Sequence, residues 1–418
     1  MGNNKLWLLI SLLVLMSLIL GACGTSPTEE PPVTEPTDVP EVPPPDEPEG
    51  FMFGMLLVGP YNDRGWSQAH YEAGEYIEEK IPGSEMVYID KVNPADRPGT
   101  TAEMLAGSLV DQGSQLIIFN SDDMKEDALN FARANPEIYV IHVSGDHAWP
   151  EGEDYQGVPN LLNVMGEMEF GKEIAGCHAA LTTQTGRIGY LGPLINEETR
   201  RLVASNYLGA RYCWENYRGN DPEDLVFEVT WIGFWFNIPG VTSDPTVVAN
   251  SFFDRGYDVV ISGIDTTEAL VEAGRRAAAG EEVWAIPYDY EGACDVSPEV
   301  CLGVPYFNWG PDYLKIIQSI LDGTWQADWI LSGPDWDDIN NPDTTAIGYL
   351  YGPGASDEII AQVDRFKQEL AGGLRLWTGP LNLQDGTPYL ADGEVASIHD
   401  IWYLPQLPEG VLGQSVAD

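Results

Sequence analysis

Several short segments of this 418-residue chain gather groups able to grip a small polar molecule. The stretch Gly59-Pro60-Tyr61-Asn62-Asp63-Arg64-Gly65-Trp66 offers an amide, a carboxylate and an indole, and Ser121-Asp122-Asp123 offers a hydroxyl and two acids. Gly233-Phe234-Trp235-Phe236-Asn237 crowds three aromatics together. Gly263-Ile264-Asp265-Thr266-Thr267, Tyr288-Asp289-Tyr290 and Asn308-Trp309-Gly310-Pro311 complete the set. Aromatic rings stack on planar groups, and Asp and Asn take hydroxyls and ring nitrogens. Together they describe a cleft for a planar, hydroxylated ligand. Each piece also has a structural reading. Asp265 or Thr266 can cap a helix, Asn62-Asp63 can form a turn, and Trp309 can staple a helix entrance. Trp235 and Phe236 can be core, although adjacent side chains of a strand point to opposite faces. Paired acids such as Asp122 and Asp289 would also suit a hydrolase. However, the chain has no GxSxG, no HExxH and no Cys/His dyad, so no enzyme is expected. Five scattered His and no CxxC leave no metal-site spacing, and no cofactor is implied.

The elements that must position these residues alternate. Phe51–Val58 reads as a buried strand, Ser67–Ile81 as an amphipathic helix and Met86–Val92 as a strand. Helix 101–112, strand 115–119, helix 125–134 and strand 138–143 follow. The pattern then restarts with a helix over 171–183 and a strand over 187–191. Next come helix 197–216, strand 224–231, helix 246–255, strand 258–262, helix 266–279 and strand 283–288. A further helix is expected over 357–371, in a tail rich in Gly, Pro and Trp. Short apolar strands alternating with helices argue two α/β units, each a parallel sheet covered on both faces. Ligands of open α/β sheets bind beyond the carboxyl ends of the strands. The segments named above fall at such exits.

Composition narrows the partners. With 66 Asp+Glu against 20 Lys+Arg the formal charge is −46, and no basic stripe exists to hold a phosphate backbone, which excludes nucleic acid. Residues 1–22 have a basic Lys5, an apolar run from Leu6 to Leu20 and the ending Leu20-Gly21-Ala22-Cys23, a pattern that resembles a lipoprotein signal peptide with Cys23 as the lipidated residue. Residues 24–50 hold nine Pro and eight acids, a composition that cannot bury a core and reads as an extended tether over 23–50. The remaining body, 51–418, still carries −39. Four further Cys lie there. Cys294 and Cys301 bracket a short loop and form the candidate disulfide, whereas Cys177 and Cys213 stay open between a disulfide and buried free thiols.

From Phe51 to Gly413 the chain resembles the basic membrane protein family, substrate-binding lipoproteins of ABC importers related to bacterial purine nucleoside receptors. The resemblance is carried by Gly59-Pro60, Asn62-Asp63 and Gly65-Trp66, by GRIGYLGP at 186–193, WIGFWFN at 231–237 and FNWGPDYLK at 307–315. LDGTW at 321–325 and TGPLNLQDG at 378–386 belong to it as well. It implies a type I periplasmic-binding-protein fold, two doubly wound parallel-sheet lobes with a ligand cleft between them and three crossovers. Lobe 1 is expected to hold 51–168 and 293–328, and lobe 2 to hold 169–292 and 329–418. By position, Asn62 and Asp63 fit the first-loop contacts, Trp235 or Phe236 the aromatic of the second lobe, and Gly263 and Asp289 the later exits. Trp66, Ser121, Asp122, Asp265, Asn308 and Trp309 join them as candidates. Asp122-Asp123 and Asn237 depart from the family pattern, and Asn308-Trp309 stands where some nucleoside binders place a Lys. An anionic ligand is thereby disfavoured and an amine-bearing one admitted. The implied protein is a monomer, anchored through Cys23 on the extracytoplasmic face, that serves an ABC permease. A ligand-sensing receptor for a signalling partner is the alternative.

Overall fold

A computed structural model describes residues 50–417. The leader, Cys23 and nearly all of the tether lie outside the described residues. The first lobe is a six-stranded sheet in the order β11-β5-β4-β3-β1-β2, with every pairing parallel. Its elements, in chain order, are β1 (Met52–Leu56), α1 (Trp66–Lys80), β2 (Glu85–Ile89), α2 (Ala102–Val110), β3 (Leu116–Phe119), α3 (Lys125–Ala134), β4 (Tyr139–Val143) and β5 (Leu161–Gly166). Helix α1 buries Trp66, Ala69, His70, Ala73, Gly74 and Ile77, the spacing of one helical face. Strand β5 escaped the sequence reading because a polar Asn163 interrupts it. That amide is fully buried yet satisfied: its Nδ2 donates to Ser144 O at 2.8 Å, and its Oδ1 accepts from Ala148 N at 2.8 Å.

The second lobe follows: α4 (Met168–Thr182), β6 (Arg187–Gly192), α5 (Glu197–Asn216), β7 (Val226–Trp231), α6 (Pro245–Asp254), β8 (Val259–Ser262), α7 (Glu268–Ala278) and β9 (Trp284–Ile286). The chain then returns to the first lobe through β10 (Gly303–Phe307) and α8 (Gly310–Leu321), which packs on α1, and adds β11 (Trp329–Ser332) beside β5. It leaves again through β12 (Ile347–Tyr351), antiparallel to β10, into α9 (Asp357–Ala371). A hairpin of β13 (Leu381–Asn382) and β14 (Pro388–Leu390), a short α10 (Ile398–Trp402) and β15 (Val411–Leu412) finish the tail. Strand β15 closes the second parallel sheet, β15-β7-β6-β8-β9.

Two lobe boundaries differ from expectation. Trp329–Ser332 lies in the first sheet, not the second lobe, because its backbone pairs in parallel with Asn163–Gly166. Residues 293–301 stay with the second lobe: Cys301 bridges to Ala285 beside β9, and Val300 and Cys301 pack in the core formed by α6 and α7. Cys294 and Cys301 are bonded to each other, and so are Cys177 and Cys213.

The second bond ties α4 to α5, the pair of helices that packs most closely. A Cβ on Gly209 would stand 2.0 Å from Glu173 O, and one on Gly176 would stand 1.9 Å from Asn206 O. Backbone therefore meets backbone, and no side chain can yield. Gly209→Ala is expected to destabilise the protein by about 1–3 kcal/mol in urea unfolding. Gly107→Ala, in α2 with nothing within 4 Å of the added methyl, is expected to be neutral or slightly stabilising.

Candidate ligand-binding site

The carboxyl ends of the two sheets face each other across a narrow cavity. Seven of the residues singled out in the sequence line it: Trp66, Ser121, Asp122, Trp235, Gly263, Asp265 and Asp289. Each arrives on a defined support. Trp66 opens α1, and its indole N–H is fixed by donating to Asn120 O. Asn120 in turn accepts from Val58 N at 2.8 Å, which joins the exits of β3 and β1. Ser121 caps the turn that carries Asp122. Gly263 follows β8 and has Tyr190 against it, where a Cβ would lie 2.3 Å from the phenol oxygen. Trp235 is 8 % exposed, its Nε1 has no hydrogen-bond partner, and it sits beside the Asp123 carboxyl.

Five candidates lie elsewhere. Asn62 is exposed on the surface. Asp63 serves the start of α1, where its carboxylate accepts from Gly65 N at 2.9 Å, Gln68 N at 3.0 Å and Ser67 N at 3.1 Å. Phe236 packs edge-on against Phe234. Asn308 pins a loop, its Nδ2 donating to Pro342 O and Thr345 O, both at 2.9 Å. Trp309 stacks on His70 with ring centroids 4.5 Å apart and on Phe307 at 4.6 Å, which seats α8 on α1. In four of these five, a nearby backbone or ring claims the side chain before a ligand can.

The cavity also holds residues that the sequence did not disclose. Tyr190, Glu198, Thr199 and Leu202 line it, beside Tyr288 from the strand-exit set. Tyr288 adjoins Asp289, and Tyr190 lies in the GRIGYLGP stretch, so those two carried a signal. Glu198 carried none, since an acid in the first turn of a helix reads as a dipole residue. Lys172, on α4, lies behind the Tyr288 side chain that lines the cavity. Its Nζ donates to Ser262 O at 3.1 Å and lies 3.0 Å from the centre of the Tyr288 ring.

Asp289 is the most unusual member. Its φ of 74° is in the left-handed region, rare for a residue with a side chain. Strand β10 holds it there: Asp289 N donates to Pro305 O at 3.2 Å, and Phe307 N donates to Asp289 O at 3.1 Å. The residue is 0 % exposed, and neither carboxyl oxygen has a hydrogen-bond partner. Burial, opposed by Lys172 and by the neighbouring Tyr288 hydroxyl, raises its carboxyl well above the usual range. Burial and then repulsion from Asp289 do the same to Asp265, and burial pushes Glu198 to about 7. Carboxyls that keep their protons donate as well as accept, which suits hydroxyls and ring nitrogens.

The lobes meet around this cavity. Asn196 Nδ2 donates to Asp122 at 3.2 Å, and Ser144 Oγ donates to Glu198 Oε2 at 3.0 Å. A Cβ on Gly65 would stand 1.7 Å from Asp265 O. Nearby, Glu126, His147 and Asp154 offer ligand atoms within 4.8 Å of one another, but the Lys125 ammonium lies 2.9 Å from Asp154 and holds the place of a cation. No helix among the described residues is long and apolar enough to cross a membrane.

Glu198 gives the site a pH signature. A carboxyl whose pKa rises from 4.5 to about 7 on folding binds its proton more tightly in the native state, so stability falls as pH rises between those values. Glu198→Gln is expected to remove much of the decline and to raise neutral-pH stability by up to about 3 kcal/mol, from the size of that shift. Urea unfolding at pH 5, 6, 7 and 8 reads this out, and parallel curves for both proteins would contradict it.

Comparison with known proteins places the chain. The family described as ABC transporter substrate-binding protein, PnrA-like, matches residues 52–333. A purine-binding protein of Brucella abortus is 24% identical over 352 residues, covering 83% of this chain and 89% of that protein. A putative ABC transporter glucose-binding protein of Haloferax volcanii is 25% identical over 338 residues, 80% of this chain and 76% of that one. Among solved structures, an ABC transporter solute-binding protein from Aeropyrum pernix superposes with a TM-score of 0.59 at 14% identity, covering 80% of this chain and 93% of that one. One from Conexibacter woesei gives 0.55 at 18%, covering 78% and 98%. These likenesses establish the type I periplasmic-binding-protein fold.

Proposed function

The chain belongs to the PnrA-like family of ABC transporter substrate-binding proteins, and we propose that it is the lipid-anchored receptor that delivers a nucleoside, or a related planar hydroxylated compound, to an ABC permease. The observation that carries the ligand reading is Asp289, a fully buried carboxyl with two unpartnered oxygens in a cavity walled by Trp66, Trp235, Tyr190 and Tyr288. The acid suits a ribose hydroxyl and the rings suit a base, in keeping with the purine-binding relative. Asp122, Glu198 and Asp265 oppose an anionic ligand and favour amine-bearing ones. A substrate-binding protein binds and releases without altering its cargo, so its work is closure of two lobes on the ligand.

Calorimetric titration with adenosine, guanosine and glucose tests the ligand class, glucose being the arm set by the Haloferax relative. A nucleoside is expected to bind, Trp235→Ala to weaken it by about 1–3 kcal/mol through lost stacking, and Asp289→Asn to weaken it too. Binding of glucose with no response to either nucleoside would refute the nucleoside reading and leave the receptor standing.

The anchor rests on Leu20-Gly21-Ala22-Cys23. Acyl chains contribute about 0.8 kcal/mol per buried methylene, so a diacylated Cys23 holds firmly. Cys23→Ser is expected to shift the protein from the membrane fraction to the soluble fraction on cell fractionation. Retention in membranes would show that the leader, not lipid, is the anchor.

A further inference from the structure

A second cavity, of about 160 Å³, opens at the start of α4, where the chain leaves the first lobe. Phe170, Trp377 and Trp402 give it aromatic walls, and Glu167 and Glu173 project acids into it. It shares no lining residue with the interlobe cavity.

Its acids are unusual in having nothing to bind. Glu173 is 2 % exposed, and its Oε2 has no hydrogen-bond partner. Burial, then the neighbouring Glu169, raises its carboxyl well above the usual range. The same causes in the same order lift Glu167 to about 7. Glu169 is already answered, since it accepts from Arg201 Nε at 2.7 Å. That guanidinium is also committed, lying 4.0 Å over the Trp402 ring. Arg375 at the rim tempers both carboxyls from a distance and lies 5.6 Å over the Phe170 ring, but it turns its Nη1 to Leu374 O at 3.0 Å and Leu370 O at 3.5 Å. Among the described residues, therefore, no ion pair reaches Glu167 or Glu173. A buried acid without a partner is unfavourable, and one that persists calls for an explanation, a bound ion or ligand among them.

We propose that this cavity is a second ligand site, separate from the interlobe cleft, for an organic cation that joins an ammonium group to an aromatic or aliphatic body. The ammonium meets Glu173 and Glu167, and the body lies against Phe170, Trp377 and Trp402. The cation draws both carboxyls toward ionisation, so binding releases protons at mildly acidic pH. Aromatic faces around the ammonium add a cation–π attraction.

The test is calorimetric titration of the full-length protein in detergent with 2-phenylethylamine and with 2-phenylethanol, which has the same shape and no charge. The amine is expected to bind at least about tenfold more tightly than the alcohol, a difference of about 1.4 kcal/mol. At pH 6, titrations in buffers of different ionisation enthalpy should show proton release. Glu173→Gln, which preserves size, should remove most of that affinity and release, and Glu167→Gln should reduce both. Asp289→Asn, in the other cavity, should leave them unchanged. Equal affinities for amine and alcohol would overturn the proposal, as would the absence of any amine heat. Loss of binding in Asp289→Asn with retention in Glu173→Gln would also overturn it, by placing the amine in the interlobe cleft.

Discussion

The binding cavity depends on one constraint, the burial of Asp289 with both carboxyl oxygens unpartnered. Such a group is unfavourable, and so is a left-handed backbone at a residue with a side chain. Two backbone hydrogen bonds from β10 hold both in place. Strand β10 lies on the return path between the lobes and is itself braced by β12. The conformation of one cavity-lining acid is thus set by the pair of strands that joins the lobes. Lys172 beneath it tempers the charge without filling the hydrogen bonds, because its amine donates to Ser262 O instead.

The lobes meet through polar contacts at the cavity and through aromatic packing beside it, where Trp402 and Tyr403 lie against Trp149 and Trp329. Asn196 reaches Asp122, Ser144 reaches Glu198, and the bare Gly65 lets α1 approach the Asp265 carbonyl. By contrast, the interior of each lobe is packed tightly, most of all where α4 and α5 touch through Gly176 and Gly209. Two rigid bodies with a ligand cavity between them are what a receptor that closes on ligand requires. The acidity of the chain divides accordingly. Most acids are surface charge or belong to the tether, and only a few, buried and raised in pKa, face a cavity.

Much of the scaffold was legible because periodicity survives in a single sequence. The helices over 125–134, 197–216 and 357–371 have the bounds that their apolar spacing and caps announce. Strand β5 was hidden because Asn163 breaks the apolar run, and only its buried hydrogen bonds make that residue tolerable. The lobe boundary near 329 was misplaced for a related reason: a parallel edge strand takes its partner from a distant segment, and nothing local to Trp329–Ser332 names β5. Within the site, the strand-exit rule led to Asp122, Trp235, Asp265 and Asp289. It did not separate them from Asp63, Asn308 and Trp309, which have the same residue types in loops of the same kind.

The sequence by itself determined the two α/β repeats, the exits at which polar and aromatic residues gather, and the strongly acidic charge. Tertiary structure decided which of those residues face the interlobe cavity. Asp63 turned to the amides of α1 and Asn308 to the carbonyls of a loop, while Asp289 was left with no partner. It also brought Glu198 to the cleft, and Lys172 behind its Tyr288 wall, from helices whose local pattern gave no sign of it. The physical reason is that a polar side chain bonds to the nearest group able to satisfy it, and which group is nearest depends on segments far apart in the chain.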